Sequence, residues 1–113
     1  MSTELGQKAE RIAGKFLEKN GYEIIEYNWR LPQCEIDIVA KNNNRVFLVE
    51  VKYRKNENYG SGFDYITTKK LKQMRFAASN WKAYNNWRGS VLLSAIEVTG
   101  NPPEVSACVL DIG

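Results

Sequence analysis

The sequence predicts an α/β domain in which a central mixed β-sheet is flanked by helices, in the order α-β-β-β-α-β-β. Three observations lead there. Two segments, residues 3–19 and 67–85, repeat apolar side chains at three- and four-residue spacing. Five others, residues 22–29, 34–40, 45–54, 90–98 and 105–111, are short and rich in β-branched and aromatic residues. A chain of 113 residues suffices for one ordinary domain and not for two, so residues 1–113 form a single domain.

In the first helix the apolar stripe is Leu5, Ala9, Ile12, Ala13, Phe16 and Leu17, with Ser2 or Thr3 as the cap and Asn20-Gly21 as the stop. The strand YEIIEYNW follows. Next come CEIDIVA and the strand over residues 45–54, joined by KNNN, whose asparagines tolerate left-handed backbone angles. Residues 34–54 therefore read as a β-hairpin. Residues 55–65, KNENYGSGFDY, form a polar loop. The second helix starts near Thr67 or Thr68 and lines up Leu71, Met74, Ala78 and Trp81. SVLLSAIEV, the turn GNPP and a last strand complete the chain.

Hydrophobic residues make up 43% of the chain and charged residues 26%, the balance of a soluble protein. No apolar run is long enough to span a bilayer, and no membrane partner is expected. The N-terminal MSTELGQKAER lacks the apolar core of a secretory signal, so a cytoplasmic location is expected. Cys34 and Cys108 form no CxxC pair and read as reduced, mostly buried thiols. Histidine is absent, which removes Ser-His and Cys-His nucleophiles and His-ligated metals. Any enzymatic chemistry must then rest on carboxylates, lysines, hydroxyls or a hard cation. The net charge of +3 permits a polyanionic partner without demanding one.

The hairpin carries an unusual set of charges. Strand alternation puts Glu35 and Asp37 on one face, opposite Ile36 and Ile38. It likewise groups Glu50, Lys52 and Arg54, opposite Val49, Val51 and Tyr53. With Asn43-Asn44 as a two-residue turn, Asn42 pairs with Arg45, Asp37 lies across from Glu50, and Glu35 across from Lys52. Directly opposed side chains have Cβ atoms about 4.5–5.5 Å apart. Two opposed carboxylates repel, and on a covered strand they also lose hydration. A Mg²⁺ or Mn²⁺ ion would offset both costs, because Mg²⁺ takes one or two protein carboxylates and fills its octahedron with waters and phosphate oxygens. Lys52 could orient or deprotonate a water, or stabilise charge on a scissile phosphate. The bland alternative is a solvated Glu50–Lys52 pair on an exposed strand. The apolar run VFLV ahead of Glu50 argues for burial instead, where an unpaired charge is costly.

These letters carry a resemblance. E…D…ExK on a helix and a hairpin resembles the PD-(D/E)xK nuclease superfamily, and the chain is similar to its YraN-like family of predicted endonucleases, relatives of archaeal Holliday-junction resolvases. Gly6, Ala9-Glu10, Ala13, Gly21-Tyr22, Asn28-Trp29-Arg30, Cys34-Glu35-Ile36-Asp37, Glu50-Val51-Lys52-Tyr53-Arg54, Gly60 and Lys70 stand at that family's motif places. The likeness covers roughly residues 5 to 80. Ala9 and Cys34 replace glycines, and Arg88-Gly89-Ser90-Val91 stands where the family has Arg-Phe-Asp. The resemblance implies a restriction-endonuclease-like fold and metal-dependent hydrolysis of DNA phosphodiesters, on branched or nicked DNA in one version. It implies that Asp37, Glu50 and the carbonyl of Val51 hold Mg²⁺ (or Mn²⁺), that Lys52 assists the attacking water, and that Glu10 is a further ligand or water-positioning group.

A DNA partner would meet the basic side of the second helix, Lys69, Lys70, Lys72, Arg75 and Lys82, with Arg54, Lys55 and Lys41 beside the hairpin. A solvated helix face explains the same charges equally well. Tyr59, Phe63 and Tyr65 either stack on unpaired bases or pack in the fold. A homodimer would suit cleavage of a junction, yet no dimer surface is legible. The alternatives to an enzyme are a catalytically inactive nucleic-acid-binding module of the same fold and a protein-interaction domain with an accidental motif.

Overall fold

The computed structural model describes residues 4–56 and 62–112. Its elements follow the predicted order: α1 (Glu4–Lys19), β1 (Glu23–Leu31), β2 (Cys34–Asn42), β3 (Arg45–Arg54), α2 (Thr68–Tyr84), β4 (Ser90–Thr99) and β5 (Glu104–Val109). The five strands form one sheet in the order β1-β2-β3-β4-β5, antiparallel except for the parallel pair β3–β4. Two helices flank this mixed sheet, an architecture compatible with the restriction-endonuclease-like fold. No helix among the described residues is long and apolar enough to cross a membrane.

The helix ends have local causes. The Ser2 or Thr3 cap expected for α1 lies outside the described residues. At its other end the Gly21 N–H donates to the Glu18 carbonyl at 3.1 Å and the Tyr22 N–H to the Leu17 carbonyl at 3.0 Å. With Gly21 at φ 89°, this is the two-bond stop that favours glycine. Thr67 caps α2, its side-chain oxygen accepting from the Lys70 N–H at 3.1 Å.

Each helix covers its own sheet face. Ala9, Ala13 and Leu17 of α1 pack with Ile38, Ala40, Phe47, Val49, Ile96 and Val98. Met74, Ala77 and Trp81 of α2 pack with Ile36, Val39, Val46, Leu48 and Leu93. Leu5, expected in the α1 stripe, is 56% exposed, because the stripe reaches the sheet only one turn further on, at Ala9. Both cysteines are free thiols, half-buried rather than fully inside.

The hairpin register is the predicted one from Asn42–Arg45 to Ile38–Val49, with Asn43 at φ 57° in the turn. The expected face alternation fails further along. Ile36 packs under α2 and Ile38 under α1, although two residues should return a strand to the same face. Their β1 partners do the same: Tyr27, opposite Ile38, joins the α1 cluster, and Trp29, opposite Ile36, joins the α2 cluster. Between them Asn28 adopts φ 56°, a left-handed conformation that asparagine tolerates better than most residues. Both strands therefore change face at the level of Asn28 and Asp37. The expected pairing of Glu35 with Lys52 is also overturned, because beyond Ile38 strand β2 stays with β1. Glu35 pairs with Arg30, and its carboxylate accepts from Arg30 Nε at 2.6 Å.

Candidate active site

Asp37 sits where β2 and β3 part. In the ladder pattern, pairs 42–45, 40–47 and 38–49 alternate regularly, and the next N–H due to bond across is that of Val51. It donates instead to Asp37 Oδ2 at 2.8 Å. A side-chain carboxylate thus takes the place of a strand partner. Since the N–H and C=O of a strand residue leave the same edge, the Val51 carbonyl also projects toward the opening.

The opening is a cleft of about 390 Å³ lined by Glu10, Asp37, Glu50, Val51, Lys52, Tyr65 and Lys70, among others. Three elements supply its charges. Glu50 and Lys52 lie on the α2 face of β3, and the Lys70 ammonium of α2 forms an ion pair with Glu50 Oε2. Glu10 comes from α1, one residue after the core alanine Ala9, and is only 6% exposed. Lys52 is exposed, its Nζ 5.9 Å from the centroid of the Tyr65 ring.

Burial dominates the electrostatics of Asp37. Together with a hydrogen bond to Glu50 and the charges of Glu50 and Glu10, it pushes the carboxyl up to about 9, against the Val51 N–H, which pulls it down. Asp37 therefore keeps its proton at neutral pH and donates it in the hydrogen bond to Glu50. Only a cation or a proton relieves such a pair.

These groups fit a hard divalent ion. Two hydrogen-bonded carboxyl groups, with a main-chain carbonyl beside them, match what Mg²⁺ asks of a protein, and the Lys70 ammonium already balances Glu50 with positive charge. No three His, Cys, Asp or Glu side chains among the described residues form a metal-holding group. Glu10 lines the cleft, and its charge acts on Asp37.

The expected phosphate-contacting residues divide. Lys72 and Arg75 are exposed on α2, outside the cleft. Lys70 turns into the cleft. Arg54 does not face solvent as the sequence reading requires. Its side chain is 6% exposed, its Nε donates to Glu97 Oε2 at 2.7 Å, and one terminal nitrogen donates to Asp64 Oδ1 at 2.5 Å. The physical reason is Glu97, a buried carboxylate of the adjacent parallel strand that needs a cation. Glu97 was open to the same reasoning as Glu50, being a lone acid in the apolar run of β4. Tyr59 and Gly60 lie outside the described residues. Tyr65 lines the cleft, and this role carried no sequence signal beyond its type.

A sequence profile for the "Uncharacterised protein family UPF0102" matches residues 9–98. Similar proteins bear the same description. One from Cytophaga hutchinsonii is 36% identical over 107 residues, covering 95% of this chain and 93% of that protein. One from Renibacterium salmoninarum is 38% identical over 96 residues, covering 84% and 81%. One from Alkaliphilus metalliredigens is 40% identical over 83 residues, covering 74% and 73%.

Proposed function

This chain belongs to the UPF0102 (YraN-like) family, and we propose that it is a divalent-metal-dependent endonuclease hydrolysing DNA phosphodiester bonds. The observation that carries the reading is the meeting of Asp37 and Glu50 at the point where β2 and β3 part, beside the Val51 carbonyl and Lys52. A structural role does not account for a buried Asp37 that must hold a proton to remain beside Glu50.

Bound between Asp37, Glu50 and the Val51 carbonyl, Mg²⁺ or Mn²⁺ would supply a Lewis acid for the phosphate and lower the pKa of a water. The rest falls to the chain. Lys52, with its stem on β3 and its head in the open cleft, orients the attacking water or balances charge on the phosphate. Glu10, held by α1 on the opposite side of the cleft, accepts a hydrogen bond from that water. Lys70 becomes available to a phosphate oxygen once Glu50 has another cation. Lys72 and Arg75 on α2 supply electrostatic attraction for the polyanion.

The test is incubation with supercoiled plasmid, single-stranded DNA and a four-way junction in Mg²⁺ or Mn²⁺. Cleavage lost in Asp37→Ala and Glu50→Ala supports the reading. No cleavage by the wild type, with salt-sensitive DNA binding that needs no divalent metal, would replace it with the inactive binding module.

A further inference from the structure

One group in the cleft has no task in the chemistry above. The Tyr65 hydroxyl is buried and has no hydrogen-bond partner among the described residues. A buried hydroxyl without a partner forfeits its hydration. The carboxylates nearby are already engaged: Glu50 with Lys70 and Asp37, Glu97 with Arg54 and with the Ser106 hydroxyl at 3.2 Å.

The ring is nonetheless held on several sides. The Arg54 guanidinium carbon lies 5.6 Å from its centroid, Lys52 Nζ 5.9 Å, and the Phe63 ring 6.1 Å away at 55°. Arg54 is itself tied to β4 by Glu97 and to the loop by Asp64, with a further bond to the Gly62 carbonyl at 3.4 Å. The network thus fixes an aromatic ring in the lining of the cleft, and its buried hydroxyl is an unused donor. Burial and the charges of Glu50 and Glu97 keep the phenol protonated, so it acts as a neutral donor.

We propose that Tyr65 is a substrate-contacting residue whose hydroxyl donates to a non-bridging oxygen of the bound phosphodiester, and that Arg54 is the residue that positions it. The inference rests on the endonuclease reading and adds the group that recognises the phosphate. A phosphate oxygen is the fitting acceptor because it is anionic and strongly accepting, and because a neutral donor adds no positive charge to compete with the cation.

The experiment uses the full chain and a fluorescent DNA junction in Ca²⁺, with anisotropy as the readout, and thermal melting alongside. Tyr65→Phe removes only the hydroxyl. It is expected to weaken junction binding about tenfold, a hydrogen bond to a charged group, while its melting temperature without DNA holds or rises. Arg54→Lys is expected to weaken binding in the same direction, and to have little further effect when combined with Tyr65→Phe. Equal binding by wild type and Tyr65→Phe would overturn the inference and leave the endonuclease reading intact. A lowered melting temperature with unchanged binding assigns the hydroxyl to the fold and overturns it as well. If the wild type binds no DNA with any divalent ion, the endonuclease reading fails and the inference with it.

Discussion

Replacing Asp37 by asparagine should make the metal-free protein more stable while abolishing its affinity for the metal. In the unfolded chain Asp37 ionises near its ordinary 3.8, and in the fold near 9. The folded form therefore binds the proton more tightly, and stability falls as pH rises from about 4 to about 9. At about 1.36 kcal/mol per pH unit, the deficit at pH 7 is about 4 kcal/mol. Asparagine carries no such penalty. Its amide oxygen can accept from the Val51 N–H, and its amide nitrogen can donate to Glu50, as the protonated acid does. Urea unfolding at pH 7 with a chelator should show a gain of about 2–4 kcal/mol for Asp37→Asn. The gap should close near pH 4 and widen toward pH 9. Saturating Mg²⁺ should stabilise the wild type, by about 2.7 kcal/mol at a hundredfold excess over Kd, and leave the variant unmoved. A variant less stable than wild type at pH 7, or a gap that does not change with pH, would refute the reasoning.

Other outcomes follow from the same geometry. Mn²⁺ affinity should rise about tenfold per pH unit between pH 6 and 9, and level off above, because Asp37 must release a proton to bind the ion; calorimetry in buffers of different ionisation heat measures that proton. Lys52→Met should lower kcat by about 10²–10⁴ with Mn²⁺ affinity little changed, as single-turnover cleavage and calorimetry would show. Lys72→Ala with Arg75→Ala should reduce the slope of log K against log salt by about 1.8 in DNA titrations, the loss of two phosphate contacts. Gly14→Ala places a methyl 2.0 Å from the Tyr27 hydroxyl, at the contact between α1 and β1, and should cost about 1–3 kcal/mol in urea unfolding.

Much of the molecule was legible because local chemistry and global fold agree. The Asn43-Asn44 turn set the register that brings Asp37 to the level of Glu50, and the apolar run before Glu50 marked a central strand. What escaped was set by single backbone angles and by distant pairing. Asn28 at φ 56° breaks the two-residue period of β1, and Ile36 changes face with it. No periodicity argument anticipates that turn within a strand. Arg54 was misplaced because its partner, Glu97, arrives only through the parallel register of β3 with β4, which joins strands separated by the whole of α2. Tyr65 enters the cleft from an irregular segment ahead of α2, where side-chain direction follows no repeat.

One divalent ion belongs between Asp37 and Glu50. Anomalous diffraction from a crystal soaked in Mn²⁺ tests this directly. The account predicts a single peak within coordinating distance of Asp37, Glu50 and the Val51 carbonyl, with the Lys70 ammonium moved off Glu50. Full Mn²⁺ exposure with no peak there, and Lys70 still paired with Glu50, would contradict it.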